Sequence, residues 1–193
     1  VHTLVQGFGL FFLFGEVNPS GKLPVTFYKS LEDLPGFTDY SMKGRTYRYL
    51  EKEPLYPFGF GLTYGKAYVE TAAITSCAEE NKDLTVEAEI VNMGDREVEE
   101  VVQVYCKNLD SSLAVPNHSL CAFQRVRVSA GGRRKLSLVV PWSAFLTVDE
   151  EGERVFDGNT YRIYVGTSQP DPRSLALGAA EPIELEVSFG GHG

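Results

Sequence analysis

The pattern of hydrophobic and polar positions changes near residue 66, and from there apolar residues recur at every second position in a series of short segments. Such alternation is typical of strands with one buried face. Val98–Cys106 is instead almost continuously apolar, which predicts a strand at the centre of a sheet. Strands are predicted over residues 68–75, 84–90, 98–106, 122–128, 136–140, 161–165 and 183–187, with a hairpin made of 146–148 and 154–156.

Turn residues separate these strands at regular distances. Asn92–Asp95 and Ala130–Gly132 have turn composition, and Pro141 ends the fifth strand. No segment of this half has a convincing helical period. We therefore predict an all-β fold, an antiparallel β-sandwich over residues 66–190, with one core between its two sheets.

Residues 18–64 have a different character, dense in aromatic residues and punctuated by glycine and proline. Pro19–Gly21 predicts a turn, and the alternation over residues 23–27 predicts a short strand, at an edge because of Pro24. A disordered linker would be poor in aromatics, whereas each buried ring removes about 150–250 Å² from water. We expect an ordered interdomain connection in which four rings pack, or alternatively a platform for a sugar ring: Tyr56, Phe58, Phe60 and Tyr64.

A second group of candidate residues lies in the middle of this segment: Arg45, Tyr47, Arg48 and Tyr49. Arginine offers a planar fork of donors, and tyrosine offers a ring face with one hydroxyl. That combination suits the pinning of a domain interface, and it also suits contact with substrate at the rim of a site. Both interpretations remain open from the sequence.

The first residues contain the longest apolar run, Leu10–Phe14, followed by Gly15. This run resembles the end of a buried helix that a glycine stops. It is far shorter than the ~20 residues that span a bilayer, so no membrane partner is expected. The chain opens with Val1 rather than Met, from which we expect a fragment of a longer protein.

Charge narrows the function classes. The 193 residues include 18 Lys and Arg against 26 Asp and Glu, a net charge of −8. Phosphate backbones would be repelled, so no nucleic acid partner is expected. No secretory signal is recognisable, which favours a cytoplasmic location, a prediction that a longer N-terminus would change.

Candidate chemistry is sparse. Cys77, Cys106 and Cys121 are odd in number and lack metal-ligand spacing, so free thiols, buried or half-buried, are expected rather than a disulfide framework. The three histidines are scattered, and Gly59–Gly61 lacks the third glycine of a dinucleotide site. No metal and no cofactor are expected. Asn117–Ser119 matches the glycosylation triplet, to which we assign no role.

The motifs of both halves resemble one enzyme family. Asn18–Tyr28, Asp39–Tyr49 and Glu53–Gly65 resemble the C-terminal part of glycoside hydrolase family 3, the β-glucosidase and β-xylosidase family. The blocks that resemble its closing fibronectin type III-like domain are Val91–Asp95, Glu100–Tyr105, Ala122–Val126 and Tyr161–Gly166. The resemblance implies an immunoglobulin/fibronectin type III-like sandwich at 66–190, an ordered linker at 31–65 and a remnant of the α/β sandwich domain at 1–30.

The resemblance also bears on catalysis. A retaining glycosidase needs two carboxyl groups about 5–5.5 Å apart. In the family both catalytic motifs lie upstream of the part that this chain matches, which implies that the chain lacks them. Glu16, Asp39, Glu51 and Glu53 could in principle substitute, but nothing in their spacing enforces proximity, and we expect solvated loop carboxylates.

We therefore expect a non-catalytic C-terminal fragment whose partners are the upstream catalytic domains, with oligosaccharide as the substrate of the intact enzyme. Its accessory domain would stabilise the catalytic domains. The alternatives are a free-standing carbohydrate-binding or adhesion module and a purely structural domain. Fold alone does not separate them.

Overall fold

A computed structural model of the protein describes residues 13–76 and 78–190. Nine strands make up its C-terminal part: β1 Ala67–Ile74, β2 Leu84–Asn92, β3 Val98–Asn108, β4 Ser119–Val128, β5 Arg133–Val140, β6 Thr147–Val148, β7 Arg154–Val155, β8 Thr160–Gly166 and β9 Ile183–Ser188. A three-stranded sheet has the order β1-β2-β5 and a four-stranded sheet the order β4-β3-β8-β9. Every neighbouring pair is antiparallel, and β6 and β7 form a separate hairpin. The predicted all-β sandwich is confirmed.

The core lies between the two sheets and follows the alternation of the sequence. Val86 and Ile90 of β2 face it from the three-stranded sheet, and Val104 of β3 and Ile163 of β8 face it from the four-stranded sheet. All four side chains are fully buried. Burying one side chain of this size stabilises the fold by about 1.5–3 kcal/mol.

Strand β3 has the predicted central place, because it pairs with β4 on one side and with β8 on the other. Its nearly continuous apolar character has a second cause. Gln103 and Tyr105, which alternate with the core-facing Val104, are also buried. They are covered on the outer face of the sheet by the segment that precedes the sandwich, so both faces of β3 are dry.

The sandwich region contains two short helices that the alternation did not predict. A 3₁₀ helix spans Trp142–Phe145, and the α-helix Pro172–Ala176 follows β8. The α-helix begins because the Asp171 carboxylate accepts a hydrogen bond from the Ser174 backbone N–H at 2.9 Å and Pro172 occupies the first turn. These two signals stand in the sequence, but five residues are too few to show a helical period.

Residues 13–65 form what we call the connecting segment, which has little regular structure. It contains a 3₁₀ helix at Leu31–Asp33 and one helical turn, α1, at Thr46–Tyr49. The predicted strand over residues 23–27 is wrong, because the chain bends at Pro24 and Val25 and only an isolated bridge joins Phe27 to Tyr56. Two backbone hydrogen bonds between Leu23 and the Gly59–Phe60 stretch replace a continuous ladder.

The predicted helix end at Leu10–Phe14 lies largely outside the described residues. Its last two positions, Leu13 and Phe14, are exposed, and Gly15 has a φ of 75°. Glycine adopts such a left-handed backbone at little cost, as at the end of many helices. Among the described residues, no helix is long and apolar enough to cross a membrane.

Candidate functional site at the seam

The candidate residues gather where the connecting segment covers the outer face of β3, β4 and β8, a contact surface that we call the seam. The helical turn α1 is held there by Asn117, which lies just before β4. The Asn117 amide Nδ2 donates to the Tyr47 carbonyl at 2.9 Å and to the Leu50 carbonyl at 2.8 Å. Its backbone N–H donates to the Arg48 carbonyl at 3.1 Å. One residue of the sandwich therefore satisfies three carbonyls of the turn.

Tyr47 is the side chain that α1 presents to the sheet. Its ring stacks on Phe58, with centroids 4.2 Å apart and an interplanar angle of 8°, and meets Tyr105 edge-on at 6.3 Å. Its hydroxyl accepts a hydrogen bond from the Leu120 backbone N–H at 2.9 Å. Tyr47 thus joins the connecting segment to both β3 and β4.

Gln103 makes a second connection, through a buried hydrogen-bond network. Its amide Nε2 donates to the Gly59 carbonyl at 3.0 Å and to the Thr167 carbonyl at 3.1 Å, and the Tyr105 hydroxyl donates to its Oε1 at 2.6 Å. Burial raises the pKa of Tyr105, so this hydroxyl keeps its proton and stays a donor. Gly59 has a φ of 72°, and a Cβ there would run into Gln103 Oε1 and the Tyr105 hydroxyl.

A buried ion pair makes the third connection. Lys22 Nζ lies 2.6 Å from Glu100 Oε1, and the two side chains are 13% and 3% exposed. Glu100 also accepts a hydrogen bond from the Val101 backbone N–H at 2.8 Å. A carboxylate so removed from solvent requires a partner, and the connecting segment supplies it.

The two candidate arginines do not enter the seam as Tyr47 does. The Arg45 guanidinium donates to the Ser41 carbonyl at 2.9 Å and to the Asp39 carbonyl, so it stabilises the loop that precedes it. The Arg48 guanidinium lies 5.9 Å from the centroid of the Tyr47 ring. Tyr49 is half-buried and lines a small cavity of about 190 Å³ against β3.

The four packing candidates also divide. Phe60 is buried, and Phe58 is half-buried beneath Tyr47. Tyr56 stacks loosely on Phe60 at 6.4 Å but keeps 42% of its surface exposed. Tyr64 is 51% exposed, and its backbone N–H donates to Asn18 Oδ1 at 2.8 Å. Two of the four residues predicted to pack, Tyr56 and Tyr64, thus remain exposed to solvent.

The four carboxylates weighed as substitute catalysts are all exposed. A hydrogen bond from the Ser41 backbone N–H lowers the pKa of Asp39, and one from Lys29 lowers the pKa of Glu53. A general acid at neutral pH needs a raised pKa, so these shifts run in the wrong direction. Glu51 lines a cavity together with Glu53, whereas Glu16 lies beside Arg96 at the far end of the segment.

That cavity, which we call the seam cavity, has a volume of about 380 Å³. It lies between Leu50–Pro54 and the loop that follows β8. Burial, helped by nearby Lys107, lowers the pKa of His118 to about 4, so its imidazole is neutral at pH 7. The residues that line the seam cavity are Thr26, Tyr47, Leu50, Glu51, Lys52, Glu53, Pro54, Lys107, Asn117, His118, Tyr164, Gln169, Pro170, Asp171, Pro172 and Arg173.

Cysteine and metal chemistry add nothing to the seam. Cys106 is buried and Cys121 half-buried, both as free thiols, and burial raises the pKa of Cys121 to about 12. Such thiols are poor nucleophiles. Cys77, His2 and His192 lie outside the described residues. Within the described ranges, no three His, Cys, Asp or Glu side chains come together as a group that could hold a metal ion.

Sequence reasoning missed the polar residues that fasten the seam: Lys22, Glu100, Gln103 and Asn117. Glu100 and Gln103 carried a usable signal, since both interrupt an otherwise apolar strand and a buried polar side chain needs a partner. Asn117 was visible only as a glycosylation triplet. Its side chain instead caps a turn about seventy residues earlier in the chain, which no local pattern reveals.

Known protein families match both halves of the chain. The profile of the glycosyl hydrolase family 3 C-terminal domain matches residues 9–64. The profile of the fibronectin type III-like domain matches residues 100–169. The two matches follow each other in the order expected from the sequence motifs.

Relatives share this arrangement over a small part of their own length. A putative β-xylosidase of Formosa agariphila is 34% identical over 86% of this chain and 22% of its own length. A xylan 1,4-β-xylosidase of Xylanibacter ruminicola is 38% identical over 82% of this chain and 18% of its own. The crystal structure of a β-glucosidase from Listeria innocua superposes with a TM-score of 0.73 at 29% identity, covering 94% of this chain and 26% of that one. The chain thus spans about a fifth of the length of these curated relatives.

Proposed function

Because this chain belongs to glycoside hydrolase family 3, as a C-terminal part that ends in a fibronectin type III-like domain, we propose that it is the non-catalytic accessory region of a retaining β-glycosidase. In this proposal the parent enzyme is a β-glucosidase or β-xylosidase of carbohydrate catabolism. The chain comprises the end of the α/β sandwich domain at 1–30, the linker at 31–65 and the accessory domain at 66–190. Its role is to stabilise the upstream catalytic domains.

The observation that carries the proposal is the distribution of exposed apolar side chains. Among the described residues, fourteen large apolar side chains are exposed in the connecting segment and only seven in the much longer sandwich region. Phe37 is 98% exposed, Tyr40 91% and Leu31 86%. A concentration of large exposed apolar side chains in one segment indicates an interaction site.

The seam explains how that surface is presented. Lys22, Tyr47 and Gln103 fasten the connecting segment to the sandwich. Leu31, Phe37 and Tyr40 remain exposed. A segment already ordered by the sandwich loses little conformational entropy when a second domain docks on it. The sandwich therefore holds in place the exposed apolar surface of the connecting segment, on which the upstream domains would dock.

A chimeric enzyme tests this role. The part of the Xylanibacter ruminicola xylan 1,4-β-xylosidase that this chain matches is replaced by this chain, and hydrolysis of an aryl β-xyloside is measured with the melting temperature. We expect an active chimera, and no turnover by this chain alone. Turnover by the chain alone that is lost in the Glu51→Gln or Glu53→Gln variant would overturn the non-catalytic role.

Two exposed phenylalanines provide a matched pair of variants. Phe37 lies in the connecting segment, and Phe123 is 68% exposed on β4. In the chimera, Phe37→Glu should lower the melting temperature and the activity, because it places a charge in the docking surface. Phe123→Glu should change neither. Equal effects of the two variants would contradict the assignment of the docking surface to the connecting segment.

A further inference from the structure

We propose that the seam cavity is a binding site for a neutral, hydroxyl-rich small molecule of about the size of a monosaccharide. Its volume of about 380 Å³ lies within the range of small-molecule sites. All the residues that line it belong to this chain, and they come from both the connecting segment and the sandwich. The site therefore does not depend on the accessory role proposed above.

Three residues of the lining carry polar atoms that lack a hydrogen-bond partner within the described part of the chain. Thr26 Oγ1, His118 Nε2 and Gln169 Oε1 are buried and have no hydrogen-bond partner among the described residues. His118 is 7% exposed and Gln169 6% exposed. Buried polar atoms are nearly always satisfied in folded proteins, so three unsatisfied ones around a single cavity set it apart from the rest of the seam.

Hydroxyl groups suit all three of these atoms. Gln169 Oε1 can only accept, whereas Thr26 Oγ1 can donate or accept. The neutral His118 imidazole has one nitrogen of each kind. A hydroxyl acts as donor and acceptor at once, so a molecule with several hydroxyls can serve all three after small rotations of the wall side chains.

The charge of the lining also favours a neutral ligand. It contains three acidic and three basic side chains, namely Glu51, Glu53, Asp171, Lys52, Lys107 and Arg173. Lys107 of β3 is half-buried and has no ion-pair partner among the described residues, so its ammonium group is available to donate to a ligand hydroxyl. Tyr164 adds aromatic surface against which the C–H face of a sugar ring packs.

The test is an NMR titration of the ¹⁵N-labelled chain with D-xylose and D-glucose. D-Glucuronate and D-glucosamine serve as probes of similar size that carry a charge. We expect saturable shifts centred on the amides of Lys107, His118 and Gln169, with a dissociation constant of about 1 mM and binding of the charged probes about tenfold weaker. No saturable shift, shifts centred elsewhere, or tighter binding of a charged probe would overturn the proposal.

Variants separate the cavity from the remaining surface. Thr26→Val removes only the unpartnered hydroxyl and keeps the side-chain shape, so the fold is retained while binding should weaken about fivefold. Lys107→Met should weaken binding about tenfold. The matched control is Lys135→Met, at an exposed position of β5, which should bind like the wild type. Wild-type affinity in the Thr26→Val variant would contradict the site even if the Lys107 variant folds poorly.

Discussion

Replacing Lys22 by methionine tests the seam at its most buried charge. The substitution keeps most of the side-chain volume but leaves Glu100, which is 2% exposed, without its partner. Removing one member of a buried ion pair typically costs about 3–5 kcal/mol, because the remaining charge is uncompensated. We therefore expect the free energy of unfolding of the Lys22→Met variant to fall by about that amount.

Urea unfolding followed by the fluorescence of Trp142 measures this loss. Trp142 is the only tryptophan and packs against Phe145, Phe156 and Phe189 in the sandwich. Its signal therefore reports whether a change in the connecting segment reaches the sandwich. The matched control is Lys29→Met, which breaks the exposed Lys29–Glu53 pair and should leave stability close to that of the wild type.

A second substitution isolates the cause. Adding Glu100→Gln to Lys22→Met removes the stranded charge while keeping an oxygen that accepts from the Val101 backbone N–H. The double variant should be more stable than Lys22→Met alone. The idea that the buried ion pair fastens the seam would be wrong if Lys22→Met lowered the free energy of unfolding no more than Lys29→Met does. It would also be wrong if the losses caused by Lys22→Met and by Glu100→Gln, each measured alone, simply added in the double variant.

Three further predictions concern neighbouring positions. Gly59→Ala should destabilise more than Gly131→Ala in thermal unfolding, because both have positive φ but only at Gly59 would a Cβ meet other atoms. Asn117→Asp should speed amide exchange in α1, since it replaces the donors to the Tyr47 and Leu50 carbonyls by an acceptor. The pKa of His118 falls from 6.5 to about 4 on folding, so the unfolded chain binds the extra proton. The lowered pKa of His118 therefore contributes about 3 kcal/mol to the free energy of unfolding above pH 6.5, and this contribution is lost as the pH falls towards 4. In urea titrations across that range, the free energy of unfolding of the His118→Asn variant should depend less steeply on pH than that of the wild type.

The sandwich follows from sequence because its strands are specified locally. In β2 and β5 the side chains that alternate along each strand are the ones that the core buries, so the period of two contains the necessary information. The helix Pro172–Ala176 was not predicted, because its N-terminal cap, rather than a helical period, determines where it forms. A strand was predicted where only a single bridge forms at Phe27, because alternation does not reveal the bend at Pro24.

The seam could be predicted only in part, for a different reason. Aromatic density indicated that the connecting segment packs, and Tyr47, Phe58 and Phe60 do pack. The partners that hold it come from more than forty residues away, as in the contact of Gln103 with Gly59. Contacts of that range depend on the tertiary fold, so neither the pinning role of Asn117 nor the seam cavity has a local signature.

Hydrogen–deuterium exchange, measured on this chain alone and within the chimeric xylosidase, tests the accessory role most directly. If the upstream domains cover the surface around Phe37, as proposed, amides of residues 25–42 in the connecting segment should exchange more slowly in the chimera. Exchange in β1, β2 and β5 should stay the same. Unchanged exchange over residues 25–42 in an active chimera, or protection confined to the three-stranded sheet, would contradict the accessory role.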